Sequence, residues 1–285
     1  MNTILRKTIL SPGIKDFLVE APRIARKRQA GQFIMLRVRE EGERIPLTIA
    51  DADAEAGWIR LIFQEVGRTT VELGRLEEGQ RILDLAGPLG RPTHIEKRGT
   101  VVCVGGGIGT APVHPIAKAM KAAGNRVIAV VGARSADLLI MEEEMAATSD
   151  RLLVCTDDGS KGRHGFVTNV IQDLIDEGET IHELVAIGPV VMMRAVSELT
   201  RGHGIPTVVS LNATMVDGTG MCGGCRVTVN GRSRFVCVDG PEFDGHAVDF
   251  AELLVRQRAY LEQERQAMAA DHVCQIGREA ERSPA

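Results

Sequence analysis

The first third of the chain is a succession of short apolar stretches, at residues 3–10, 16–20, 33–38, 46–50, 58–64 and 81–85. Turn residues separate them, among them Ser11-Pro12-Gly13, Glu41-Gly42 and Glu78-Gly79. Many short strands with turns between them predict an antiparallel barrel over residues 1–97. One short helix is expected near 69–73. The pattern changes at Gly99. Residues 101–104 form a continuous apolar run, followed by glycines and a helical stretch at 113–123. A strand at 126–131, a helix at 142–147, a strand at 151–156, a helix at 167–177 and a strand at 183–187 come next. Strands alternating with helices predict βαβ units and a parallel sheet over residues 98–210. Residues 211–246 are rich in Gly and Cys, and a last helix is expected at about 248–270, within a C-terminal segment 247–285.

The 285 residues exceed one ordinary core and fit two modest domains plus an extension. With one Trp and one Tyr, the core has to be built from Val, Ile, Leu, Met and Ala. A net charge of -4 argues against a nucleic-acid binder, which needs a basic face. No apolar run approaches the roughly 18 residues of a membrane span. The start, Met1-Asn2-Thr3-Ile4-Leu5-Arg6-Lys7, lacks the apolar core of a signal peptide. The expected location is the cytoplasm, with neither membrane nor nucleic acid as a partner.

Three of the six cysteines fall close together, as Cys222-x2-Cys225-x11-Cys237. In a reducing compartment such clustering points to metal rather than disulfides. Plant-type two-iron clusters use C-x4-C-x2-C and a distant fourth Cys. Here Asp217 occupies the first position of that spacing. Glycines at 218, 220, 223 and 224 let the loop wrap tightly. Residues 226–229, Asn230-Gly231 and residues 232–238 read as a hairpin with a two-residue turn. In that register Cys225 pairs with Val236, which returns Cys237 beside the loop. Structural zinc, with Asp217 or His246 as fourth ligand, is the alternative. A distant thiol (Cys103, Cys155 or Cys274) competes with Asp217 for the fourth position of an iron site. Asp217 also reads as a turn residue, since Asp-Gly is a common turn pair.

Val101-Val102-Cys103-Val104-Gly105-Gly106-Gly107-Ile108-Gly109-Thr110-Ala111-Pro112 reads as strand, glycine loop and helix start. Such a loop lets backbone amides approach a pyrophosphate, although tight strand–helix turns also use glycine. The acidic residue expected about 20 positions on in the dinucleotide fingerprint is missing. Gly132-Ala133-Arg134-Ser135 stands there instead, and Arg134 suits a 2′-phosphate or a surface ion pair equally. Arg44-Ile45-Pro46-Leu47-Thr48-Ile49 puts a cation and a hydroxyl on one barrel strand, which an edge strand with a proline explains equally well. Thr156-Asp157-Asp158-Gly159-Ser160 reads as a turn after a strand or as the border of a nucleotide site.

The order of these pieces, with Gly188-Pro189-Val190-Val191-Met192-Met193 after them, resembles the ferredoxin–NADP reductase superfamily. The cysteine segment narrows the resemblance to one family. That family holds the electron-transfer subunit of dihydroorotate dehydrogenase and the small subunit of NADH-dependent reduced ferredoxin:NADP oxidoreductase. The second branch is favoured by Asp217-Gly218-Thr219-Gly220-Met221-Cys222 and by Gly240-Pro241-Glu242-Phe243-Asp244. The resemblance implies an FAD-binding antiparallel barrel, a parallel-sheet α/β nucleotide-binding domain and a small C-terminal iron–sulfur segment with a helix. It implies FAD near Arg44, Pro46, Leu47, Thr48, Ile49, Gly67, Thr69 and Thr70. It implies NAD(H), with NADP(H) as the alternative, near Gly106, Gly107, Ile108, Gly109, Thr110, Asp157, Asp158, Gly188 and Pro189. It makes Asp217, Cys222, Cys225 and Cys237 the ligands of a [2Fe-2S] cluster. The implied partners are a larger FAD/[4Fe-4S] subunit and, through it, ferredoxin. The chain departs from the pattern at Ala213-Thr214, where relatives have Pro-Ile, and at Gly67-Arg68-Thr69-Thr70, where they have Gly-x-Gly-Thr. No general base or nucleophile is required, because the hard chemistry belongs to the cofactors. The rival readings are the dihydroorotate branch and a zinc-containing nucleotide-binding protein without redox activity.

Overall fold

The computed structural model describes residues 1–269. Its first unit is six antiparallel strands: β1 (Ile4–Ser11), β2 (Ile14–Glu20), β3 (Phe33–Arg37), β4 (Arg44–Asp53), β5 (Trp58–Gln64) and β6 (Asp84–Leu89). They lie in the order β1-β2-β5-β4-β3-β6, with short helices α1 (Pro22–Ala25) and α2 (Arg68–Gly74) in the connections. The last strand begins three residues later than the apolar pattern predicts. Residues 80 and 82 bond instead to the start of the chain: Ile4 N–H donates to the Gln80 carbonyl (2.8 Å) and Ile82 N–H to that of Asn2 (3.0 Å). These bonds join the two sheet edges into a barrel, which removes the exposed edges of an open sheet. Inside, Phe17 and Phe63 meet edge to face with centroids 5.1 Å apart.

The second unit alternates β7 (Thr100–Gly106), α3 (Thr110–Ala122), β8 (Arg126–Ala133), α4 (Glu142–Thr148), β9 (Arg151–Thr156), β10 (Arg163–His164), α5 (Val167–Asp176), β11 (Glu183–Ile187), α6 (Val190–Gly202) and β12 (Thr207–Ser210). These strands are parallel, in the order β10-β9-β8-β7-β11-β12. Both faces are covered, so β7 is buried along its whole length. Val101 and Cys103 enter the core under α3 and α4, while Val102 and Val104 enter the core under α5 and α6. The strand order reverses between β7 and β11, and a crevice opens there at the carboxyl ends, the place where such sheets bind ligands. Helix α3 starts three residues before the predicted 113. Pro112 lies in its first turn, where a missing N–H costs nothing.

The third unit is a hairpin, β13 (Arg226–Val229) and β14 (Arg232–Phe235), then α7 (Val236–Asp239), β15 (Glu242–Asp244) and α8 (Phe250–Gln257). Strand β15 adds antiparallel to β12 and so ties this segment to the parallel sheet. Cys225, Val227, Val236, Cys237, Phe250 and Leu253 continue the core under α6. The single helix expected at 248–270 is instead α8, a break at 258–260 and a second helical stretch at 261–269. At the break Arg258 and Ala259 donate back three residues, to Val255 and Arg256, and this tighter turn interrupts the α-helical ladder. Here Gln257 Nε2 reaches back to the Asn212 carbonyl at 3.0 Å. The tail at 270–285, with Cys274, lies outside the described residues.

Polar contacts join the first two units. Arg60 of β5 holds the buried Asp16 with three hydrogen bonds of 2.9–3.1 Å and also reaches Glu144 of α4 at 3.0 Å. Ser11 Oγ donates to the Asp137 carbonyl at 2.7 Å.

Candidate functional site

Two adjoining clefts and a cysteine loop share one side of the molecule. The first cleft, about 490 Å³, lies at the carboxyl ends of β7, β8 and β11. Gly106, Gly107 and Ile108 form its floor, and Asp157 and Pro189 its sides. Most of the glycine run serves packing. A Cβ on Gly109 would overlap the Ile187 carbonyl oxygen, and one on Gly106 would overlap Met192 Sδ. Gly107 alone among Gly105, Gly106, Gly107 and Gly109 has open space where a Cβ would stand. Thr110 is fully buried, and its hydroxyl, without a hydrogen-bond partner among the described residues, turns toward β7 rather than onto the cleft wall. Asp158 also stays off the wall. It accepts from the backbone N–H and the hydroxyl of Ser160, which hold its carboxyl below the usual range. Arg134 and Asp157 both line the cleft, and neither side chain forms an ion pair among the described residues.

The second cleft, about 720 Å³, runs between the barrel and the crevice. Pro46, Leu47, Thr48, Thr70, Ile108, Gly109, Gly188 and Pro189 line it. Size and lining are those of a small-molecule pocket: an apolar slot with a few placed polar groups. Arg44 stands exposed at the start of the strand that supplies Pro46–Thr48, and it has no ion-pair partner among the described residues. An anionic diphosphate would meet that free cation. Ile49 does not face the cleft but fills the barrel core. Thr69 is buried, with its hydroxyl 3.3 Å from Glu43. Thr70 Oγ1 accepts from the N–H groups of Val66 and Gly67, both at 3.0 Å, and so caps α2 where a second glycine is lacking. The cleft is large enough for a flavin-sized ligand, and Pro46–Thr48 form part of its wall.

The cysteine loop begins at the far wall of this cleft, where Leu211, Asn212, Ala213 and Met215 form the lining. The hairpin has the register its turn dictates: Arg226 pairs with Phe235, and Val236 N–H donates to the Cys225 carbonyl at 3.1 Å. Asn230 and Gly231 both have positive φ, as a type I′ turn requires. Cys225 and Cys237 are buried with their sulfurs 3.3 Å apart. The Cys222 thiol is exposed, 3.4 Å from Asp217 Oδ1. Asp217 is an organiser of the turn as well as a candidate ligand. Its carboxylate accepts N–H groups from Thr219, Met221 and Cys222 at 2.9–3.1 Å. Against some desolvation, these bonds hold its carboxyl below the usual range. Burial, and then Cys225, push the Cys237 thiol up to about 12, so a thiolate there needs a metal facing it.

No three His, Cys, Asp or Glu groups among the described residues surround one point as a single ion requires. The groups stand instead as two pairs, 217 with 222 and 225 with 237, and a two-metal cluster needs two pairs. This donor set therefore fits [2Fe-2S] better than zinc. The competing ligands among the described residues, Cys103, Cys155 and His246, lie elsewhere, and Cys274 falls outside those residues. Cys103 and Cys155 are core thiols, pushed by burial up to about 12 and about 11. His246 sits 3.0 Å from the Thr200 hydroxyl.

Residues beyond the predicted site complete the clefts; Val191 and Met192 belong to the Gly188–Met193 motif, whereas Gln64 and Phe166 belong to none. Gln64 and Val191 line both, while Phe166 and Met192 line the first. Phe166 and Val191 are 61% and 56% exposed. No local pattern marks Gln64 or Phe166, which stand at the end of β5 and just before α5.

Comparison with known proteins agrees with these features. Residues 103–198 match the oxidoreductase NAD-binding domain, and residues 212–249 match the iron–sulfur cluster binding domain of dihydroorotate dehydrogenase B. A Thermotoga maritima protein described as a homolog of the dihydroorotate dehydrogenase B (NAD(+)) electron transfer subunit is 49% identical over 265 residues, 93% of each chain. The electron transfer subunit of that enzyme from Geobacillus thermodenitrificans is 31% identical, over 85% of this chain and 95% of its own. Among solved structures, a chain of the NADH-dependent reduced ferredoxin-NADP oxidoreductase, studied for flavin-based electron bifurcation, superposes with a TM-score of 0.91. It is 47% identical, over 95% of this chain and 97% of that one. An Amycolatopsis cytochrome P450 reductase, 23% identical with a TM-score of 0.60, covers 70% of this chain and 64% of its own and shares the fold.

Proposed function

The chain belongs to the family of dihydroorotate dehydrogenase B electron-transfer subunits, and from that premise we propose that it is the NADH-facing subunit of an NADH-dependent reduced ferredoxin-NADP oxidoreductase. It is an oxidoreductase subunit with an electron-transfer role, and its cofactors are FAD, an iron–sulfur cluster and NAD(H). One observation carries the electron-transfer reading, that the three sites lie in sequence, and the superposition at a TM-score of 0.91 favours the ferredoxin-NADP branch. The first cleft shares Gln64, Ile108, Pro189 and Val191 with the second, and the second is walled by the segment that runs into Asp217 and Cys222. Neighbouring sites of this kind suit a hydride donor, a flavin and a one-electron carrier. When bound, the flavin takes the electron pair of a hydride and returns it as single electrons.

The chain's own residues bind, orient and exclude water. Gly106, Gly107, Ile108 and Pro189 shape the dinucleotide cleft, with Phe166 as an aromatic platform and Arg134 and Asp157 beside it; Gly109 and Gly188, expected there too, line the second cleft instead. Thr110 and Asp158 support the loops from behind. Pro46, Leu47 and Thr48 face the flavin ring, Arg44 its diphosphate and Thr70 the end of the cleft, while Gly67 and Thr69, expected at the flavin, stand behind Thr70 and off the lining. Ile49 anchors that strand in the barrel. Asp217, Cys222, Cys225 and Cys237 hold the cluster, and apolar Val216, Met221 and Val238, all exposed, flank it. A larger subunit with its own flavin and four-iron clusters would cover that rim. No helix among the described residues is long and apolar enough to cross a membrane.

Anaerobic purification with flavin and iron counted per chain tests this reading. One FAD and two irons, bleached by NADH, are expected. Zinc without flavin would overturn it. Co-purification with a dihydroorotate-oxidising protein instead would move the chain to the other branch of the family.

A further inference from the structure

Gln64 ends β5, where it pairs with Ile14 of β2. Four residues line both clefts, and the other three, Ile108, Pro189 and Val191, are apolar. The Gln64 carboxamide makes no hydrogen bond to any described residue. A group with two donors and a two-lone-pair acceptor therefore stands unspent on an apolar partition. The nicotinamide ring must reach that partition to deliver hydride, and the ring's substituent is also a carboxamide. Two primary amides present complementary donors and acceptors. Ile108, Pro189 and Val191 offer the ring apolar contact but no rotational preference.

We propose that Gln64 is a positioning residue that pairs with the nicotinamide carboxamide and fixes the rotation of the ring against the flavin. This rests on the nucleotide reading above. Gln64 exchanges no proton or electron. Its Oε1 accepts from the nicotinamide amide and its Nε2 donates to the amide carbonyl, so the reacting carbon is turned toward the second cleft. Orientation of this kind lowers the barrier without touching the reacting bond.

Equilibrium binding to the oxidised, flavin-loaded protein provides the test, with NAD+, 3-acetylpyridine adenine dinucleotide and ADP-ribose as probes. The acetyl analogue replaces the amide NH2 by methyl, and ADP-ribose lacks the ring. Wild type should bind NAD+ about tenfold more tightly than the analogue, the scale of one hydrogen bond with an unpaired partner left behind. Gln64→Leu should abolish that ratio and leave ADP-ribose affinity unchanged. Gln64→Glu, which still accepts from the amide, should restore much of it. An unchanged ratio in Gln64→Leu, or an equal loss for all three probes, overturns the proposal while the nucleotide reading survives. Wild-type protein that binds none of the three overturns both.

Discussion

At the scale of single residues, Asp217 is the position where two roles compete. Its carboxylate already accepts three backbone N–H groups and stands beside Cys222. Both roles can hold at once, because a carboxylate has about four lone-pair sites. Asp217→Cys is expected to keep two irons per chain with a changed visible spectrum. Asp217→Ala should lose most of the iron, as a ligand and the turn's acceptor disappear together. Iron analysis beside the spectrum checks this, and an unaltered spectrum in Asp217→Ala would remove Asp217 from the cluster. Gly109 is a second such position. An alanine methyl there would press on the Ile187 carbonyl, a backbone atom that cannot swing away. Overpacking of this kind costs about 1–3 kcal/mol. Gly109→Ala should therefore lower the denaturant midpoint, measured by urea titration.

At the scale of elements, the β13–β14 hairpin sets the cysteine spacing. Its two-residue turn needs positive φ at both Asn230 and Gly231, and a slip of one residue would carry Cys225 and Cys237 apart. Gly231→Ala should cost about 1–2 kcal/mol through left-handed strain. The turn lies away from the cysteines, so iron content should follow stability rather than fall to zero. Thermal melting with iron counting distinguishes the two outcomes. The hairpin is legible in sequence because Asn-Gly is a strong local signal. The break at 258–260 is not, since neither Gly nor Pro marks it. The contact from Gln257 to Asn212 joins segments remote in sequence.

At the scale of the whole molecule, Glu242 lies where barrel loop, interdomain linker and cysteine segment meet. The Thr93 hydroxyl donates to it at 2.5 Å, and Gly31 packs against the pair. Burial, opposed by the Thr93 bond and helped by the Glu183 charge, raises its carboxyl from 4.5 to about 7. The folded protein thus binds a proton that the unfolded chain releases. The associated stability is fully present below about pH 4.5 and is lost as pH rises through about 7. Melting temperature should accordingly fall between pH 5 and pH 8. Glu242→Gln should flatten that part of the curve. A variant that keeps the wild-type slope would show that other groups dominate the pH dependence.

The order of the three units, the alternation of strands and helices and the return of Cys237 beside Cys225 could be read from the chain, because periodicity, turn pairs and covalent spacing are local. The same chain was silent on which side chains face which cleft. That Gly106 and Gly109 yield to Met192 and Ile187, that Thr110 turns inward, and that Gln64 and Phe166 come to line the clefts depend on neighbours far away in sequence. The division of the cysteine site into two pairs has the same origin. Residues 213–222 are bound at one end to the wall of the second cleft and at the other to a buried hairpin. Only packing of the barrel, the parallel sheet and this loop against one another brings those distant walls together.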